Sequence, residues 1–209
     1  MSNWVVLRGF AMLLGILLLV SILQKLINKP FNEFHLPEIA FEWEREPGQI
    51  NKIIEAKKAE GGNFLTELNI DTFLFIPIYT ILFIYLAFYL RASDLAAGNR
   101  YFYAIIVCIL TAAIFDWTEN YFMYRIINQG VSTELASYKY YACYIKWSLI
   151  ALAVFIISLS FFSLGNLWVA VPGFAAFAIF VIGILFTRPL IQWGFGMLGF
   201  VLVMIAIFL

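Results

Sequence analysis

Six apolar runs, each close to the length of a bilayer crossing, are set apart by polar stretches, four of them short and one long. The runs are read at about residues 4–26, 72–90, 101–120, 140–162, 166–186 and 189–209. This pattern predicts an all-α polytopic membrane protein. The expected architecture is a six-transmembrane-helix bundle, one transmembrane domain over 1–209, with a long interfacial loop between helices 1 and 2. The first run begins like a signal peptide, with Arg8 ahead of Gly9–Val20, but no small-x-small cleavage site follows it. It is therefore read as a retained helix, with Arg8 snorkelling to the near surface.

The long loop, 27–70, is broken by Pro30, Pro37 and Pro47-Gly48. Its first half mixes aromatic residues, up to Trp43, with Glu33, Glu38, Glu42 and Glu44. That composition suits a segment lying on the membrane surface or on the bundle. The second half, 49–60, predicts an amphipathic helix. Ile50, Ile53 and Ile54 form a narrow apolar stripe, with Lys52, Glu55, Lys57 and Lys58 around it. Gly61-Gly62 should end it. Such a helix either lies in the membrane interface or packs on the rest of the loop. Asn69 or Asp71 is placed to cap the second run, and an N-cap is the simplest role for Asp71. Pro77 lies inside that run and predicts a kink.

Composition supports the membrane assignment. The chain of 209 residues is 64% hydrophobic and 12% charged, about half the charge of a soluble domain. The formal net charge of zero argues against a nucleic-acid partner. Cys108 lies mid-run and Cys143 starts the next run from the far side, a depth difference of roughly 18 Å of helix rise. That excludes a disulfide, and both are read as buried free thiols. His35 is the single histidine, and HExxH, GxSxG and Walker A patterns are missing. Neither a metal nor a cofactor is expected. The letters GxGxxG at Gly194–Gly199 lie in an apolar run with no strand before them, and suit close helix packing instead.

If the runs alternate across the membrane, the long loop, the 121–137 loop and the Thr187-Arg188 turn fall on one side, here called side B. The side-B helix ends carry Gln24, Lys25, Asp71, Asp116, Glu119, Asn120, Lys146, Arg188 and Gln192. Asp116, Glu119 and Asn120 stand three and four residues apart, so they share a helical face. They follow 101–115, which holds no charge, so Asp116 is expected about one turn inside the bilayer edge. Asp71 could face it as a second acid, the arrangement of acid/base pairs and proton carriers. Lys146 is either the counter-ion of Asp116 or a snorkelling anchor among Tyr138, Tyr140, Tyr141, Tyr144 and Trp147. Tyr79, two turns beyond Asp71, is either a ligand reaching back or a core aromatic. Arg188 is a second candidate cation. The structural alternative for the whole set is ordinary helix-end pairing and capping. Lysine and arginine are denser in the side-B loops, which favours side B as cytoplasmic and both termini as non-cytoplasmic.

Three functions fit. The first is binding or transport of a lipid or cationic amphiphile in an acidic pocket built from Asp116, Glu119, Asn120, Asp71, Lys146, Tyr79 and Arg188. The second is a lipid-modifying enzyme with Asp116 and Asp71 as acid pair and Lys146 or Arg188 on a phosphate. The third is an accessory subunit whose partners are other membrane subunits. The lipid bilayer is a partner in all three.

Overall fold

The computed structural model describes residues 9–19, 37–59, 61–93, 98–185, 198–199, 201–203 and 205. Every regular element among them is a helix. In chain order these are α1 (Gly9–Leu19), α2 (Pro37–Trp43), α3 (Pro47–Ala59), α4 (Phe64–Ile70), a π turn (Asp71–Phe75), α5 (Ile76–Ser93), α6 (Gly98–Gln129), α7 (Thr133–Ser163) and α8 (Leu167–Leu185). Four stretches are long and apolar enough to cross a membrane: Phe64–Ser93, Arg100–Gln129, Thr133–Ser163 and Leu167–Leu185. They correspond to the second to fifth apolar runs. Of the first run, Gly9–Leu19 is seen as a shorter apolar helix. The sixth run, 189–209, falls mostly outside the described residues.

The exposed surface of α6 supports a lipid environment. Tyr103, Val107, Leu110, Ile114, Trp117, Tyr121 and Tyr124 are all exposed, at alternating spacings of four and three residues. One whole helix face is therefore apolar and turned outward. Water would penalise so long an apolar stripe, whereas hydrocarbon does not.

Helix lengths depart from the sequence expectation at side B. The expected loop over 121–137 is helical apart from residues 130–132. Helix α6 has 32 residues, roughly 48 Å, and outruns a hydrocarbon core of about 30 Å. Gly130 ends it at φ +91, a conformation that disfavours a Cβ. Ser132 then starts α7, its Oγ accepting from the Leu135 amide at 3.2 Å. The uncharged run ends at Phe115, and the helix continues past it with Met123 and Ile126 buried on a different apolar face.

Asp71 is not an N-cap. Asn63 caps α4, its side chain accepting from the Leu65 and Thr66 amides, and the helix runs on through Asp71 without a break. The local device at Asp71 is the π turn, where the Ile76 amide reaches the Asp71 carbonyl. Pro77 follows directly. In a regular α-helix its ring would press on the Phe73 carbonyl and leave it without a donor, and widening the turn relieves that conflict. The kink expected at Pro77 thus takes the form of a π turn one step earlier.

The chain divides into two compact units. One comprises Met1–Ile16, Ile78–Ala112 and Trp147–Leu209. Its helices meet through small and aromatic side chains, as lipid-embedded helices must, since lipid supplies no hydrophobic force between them. A Cβ at Gly173 on α8 would lie 2.1 Å from Ser158 Oγ on α7, so the missing side chain permits the approach. Trp147 stacks on Phe180 at 5.7 Å, and Phe155 packs against Phe174 and Phe177. Tyr79 belongs to this unit and is buried, 6% exposed, as a core aromatic would be.

The second unit comprises Leu17–Pro77 and Ala113–Lys146. Its core joins Phe41, Ile50, Ile53, Ile54, Phe64 and Leu68 to Met123, Ile126 and Ala136. The isoleucine stripe of the expected 49–60 helix, seen at Pro47–Ala59, is therefore buried against protein. Of the two positions open to it, the helix takes packing on the chain over lying in the lipid interface. Three isoleucines are too narrow a stripe to need lipid, and the aromatic residues of α2 and α4 cover them. Gly61 ends the turn at φ +75, as expected. Lys57 in the last turn of α3 is buried with its charge set on Glu67 at 2.7 Å.

Candidate functional site

The second unit buries a charged cluster built by four helical elements. Asp116, Glu119 and Asn120 occupy one face of α6, and all three are at most 6% exposed. Lys139, Cys143 and Lys146 occupy one face of α7, again at spacings of four and three, and all are buried. The outward residues of the same turns, Trp117, Tyr121, Tyr138 and Tyr141, are exposed aromatics. Each helix therefore turns a polar stripe inward and an apolar stripe outward, the reverse of a soluble surface helix.

Lys146 is the hub. Its Nζ lies 2.6 Å from Glu119 Oε2, 3.0 Å from Asp116 Oδ1 and 3.6 Å from Glu42 Oε2. Three carboxylates thus surround one ammonium whose side chain is 5% exposed. Glu119 is fully buried, and its Oε1 has no hydrogen-bond partner among the described residues. Asn120 carries the network to the π turn, its Nδ2 donating to Asp71 Oδ2 at 2.7 Å and to Thr72 Oγ1 at 3.0 Å. The Trp117 indole donates to the Thr72 carbonyl at 3.1 Å, a second tie to the same turn. Asp71 is also within electrostatic reach of Asp116, Lys146 and Glu42.

Glu42 reaches the cluster because α2 is pinned to α7. Lys139 Nζ donates to the carbonyls of Phe41 and Glu44, where α2 ends and its carbonyls lack helical donors. The Arg45 guanidinium lies 5.0 Å from the Tyr140 ring centroid, and Trp43 meets that ring edge-on at 6.0 Å. Phe41 and Trp43 are fully buried, so the described end of that segment packs on the helices, while residues 27–36 lie outside the described residues. Cys143 Sγ stands 4.0 Å from Glu42 Oε2.

No protein-family model, curated protein or solved structure matches the chain. The chemistry of the cluster has therefore to be read from its own geometry.

Of the residues singled out in the sequence, the structure brings together Asp71, Asp116, Glu119, Asn120 and Lys146. Tyr79 lies in the other compact unit, and Arg188 lies outside the described residues. Three members were missed: Glu42, Lys139 and Cys143. The spacing of Lys139, Cys143 and Lys146 was visible and could have placed them on one face. For Glu42 the one available signal was an acid set among aromatics next to Trp43.

The arrangement suits cation chemistry better than anion chemistry. Among the described residues, Glu42, Asp71, Asp116 and Glu119 are four carboxyl groups, against Lys146 and a Lys139 committed to carbonyls. Lys146 is held by three carboxylates and is poorly placed to receive a phosphate.

Proposed function

We propose that the protein is a multi-pass integral membrane protein of six crossings that binds or transports a lipid or amphiphile bearing a cationic head group. In this reading the head group docks at the Glu42, Asp116, Glu119 and Asp71 carboxyls. The observation that carries it is the three carboxylates, from α2 and α6, around the buried Lys146 of α7, where α6 and α7 are both long and apolar enough to cross a membrane. An ionisable group at such a depth is expensive to maintain and is commonly a binding or transfer site. Lys146 would act as the resident cation that holds the acids together until a ligand displaces it. The exposed aromatic face of α6 and α7, with Trp117, Tyr121, Tyr138 and Tyr141, suits the head-group region of a membrane.

The lipid-modifying enzyme fits less well. Each acid of its pair is already engaged, Asp71 by the Asn120 amide and Asp116 by Lys146, which leaves neither poised toward a substrate. The test is native mass spectrometry of the purified chain in mild detergent, wild type beside Asp116→Asn. An ammonium-bearing molecule retained by the wild type and lost from the folded variant supports the proposal. Equal retention by both removes Asp116 from the site, and no retained molecule in either overturns it.

A further inference from the structure

We infer that Glu42, Glu119 and Cys143 form a binding site for one thiophilic divalent cation of the zinc class. One carboxylate oxygen from each glutamate and the Cys143 Sγ all lie within 4.8 Å of one another. They come from α2, α6 and α7, so one ion would tie three helices together. A tetrahedral zinc with bonds of 2.0–2.3 Å holds its ligands about 3.3–3.8 Å apart. Closing from 4.8 Å requires the ligand atoms to approach one another by about 1 Å.

Two observations beyond the grouping point to a cation. Glu119 is fully buried, yet its Oε1 has no hydrogen-bond partner among the described residues. A buried carboxylate oxygen without a donor is costly, and a metal ion would satisfy it. The second is charge. Four carboxyl groups, Glu42, Asp71, Asp116 and Glu119, share the cluster with two ammonium groups, Lys139 and Lys146. Among the described residues the carboxyl groups outnumber the ammonium groups by two, and the Cys143 thiolate would add a third negative charge, a balance that favours a divalent cation.

The donor set selects the metal. One thiolate with two carboxylates is too soft for magnesium or calcium and suits zinc, with a fourth position open to water. Coordination takes the thiolate form of Cys143, and the thiol proton passes to solvent. Lys146 competes for Glu119 and Glu42, but it keeps Asp116 at 3.0 Å when the metal takes the other two. The site shares Glu42 and Glu119 with the proposed head-group site and so rests on reading the cluster as cation-binding.

The test uses the full chain purified in detergent, reduced and stripped with a chelator. Zinc is added by equilibrium dialysis and cobalt(II) is added as a spectroscopic probe, to wild type, Cys143→Ser, Glu42→Gln and a Cys108→Ser control. The expected result is one zinc per wild-type chain and a thiolate-to-cobalt charge-transfer band. The band should vanish in Cys143→Ser and persist in Cys108→Ser. Glu42→Gln sits on a half-buried side chain and should lower zinc affinity at least tenfold with helix content unchanged. No zinc at micromolar free metal, or equal binding by wild type and Cys143→Ser, overturns the site. An organic cation retained in the mass spectrum by a chain that takes no zinc overturns the metal site alone. Zinc uptake with no organic ligand supports the metal site and overturns the amphiphile reading.

Discussion

Lys146 on α7 and Glu119 on α6 form an ion pair of 2.6 Å in which the lysine side chain is 5% exposed and the glutamate fully buried. Removing one partner of such a pair strands the other charge, which typically costs about 3–5 kcal/mol. Lys146→Met should therefore destabilise the protein by that order, because it removes the cation that the fully buried Glu119 faces. Adding Glu119→Gln and Asp116→Asn should restore most of the loss. Thermal unfolding of the three proteins in one detergent measures this. A triple variant no more stable than Lys146→Met would show that the lysine acts through packing and not through charge.

The Lys57–Glu67 pair tests the same physics where α3 meets α4. It spans 2.7 Å, with both side chains at most 7% exposed. Lys57 also lies 5.0 Å from the Phe64 ring centroid. Glu67→Ala should loosen α3, raising amide exchange at Ile53 and Ile54 by one to two orders of magnitude. Replacing both residues with methionine should return exchange close to wild type, since a well-packed apolar pair often equals a buried ion pair. Hydrogen exchange read by mass spectrometry over 47–59 separates the outcomes.

Capping of the first described span rests on Asn63. Asn63→Ala removes the acceptor for the Leu65 and Thr66 amides and should cost about 1 kcal/mol. Exchange at those two amides should rise. Asn69→Ala, at the position where hydropathy alone would start the helix, should leave them unchanged.

Contact between α7 and α8 depends on Gly173. A methyl group there meets Ser158 Oγ at 2.1 Å and Ser158 Cβ at 3.1 Å. Gly173→Ala should destabilise by about 1–3 kcal/mol through overpacking. Ser158→Ala in the same chain should recover part of that, because the oxygen clash goes and the Cβ clash remains. Thermal unfolding of the single and double variants gives the comparison, and an unaffected single variant would refute the close packing.

Some of this protein was decided within the chain itself. Bilayer-length apolar runs needed no tertiary information, because the cost of burying a charge in lipid is paid residue by residue. Asp116, Glu119 and Asn120 share a face because the helical period is local, and that face is the one the structure buries. The end of α3 at Gly61 was legible for the same reason.

Other features depended on contacts distant in sequence. The uncharged run of α6 ends at Phe115, while the helix runs on to Gln129, where Met123 and Ile126 find Ile50, Ile53 and Phe64. Asp71 lost its expected capping role because Asn63 starts the helix earlier, where residues 64–70 become helical by packing on α3. Glu42 stands about a hundred residues before Cys143 in sequence and 4.0 Å from it in space, and no local pattern encodes that meeting. Spacing along one helix is set by covalent geometry and can be read from letters. Which stripe of one helix meets which stripe of another is set by packing and charge across the fold, and only the tertiary structure decided that Lys146 is surrounded by acids from α2 and α6.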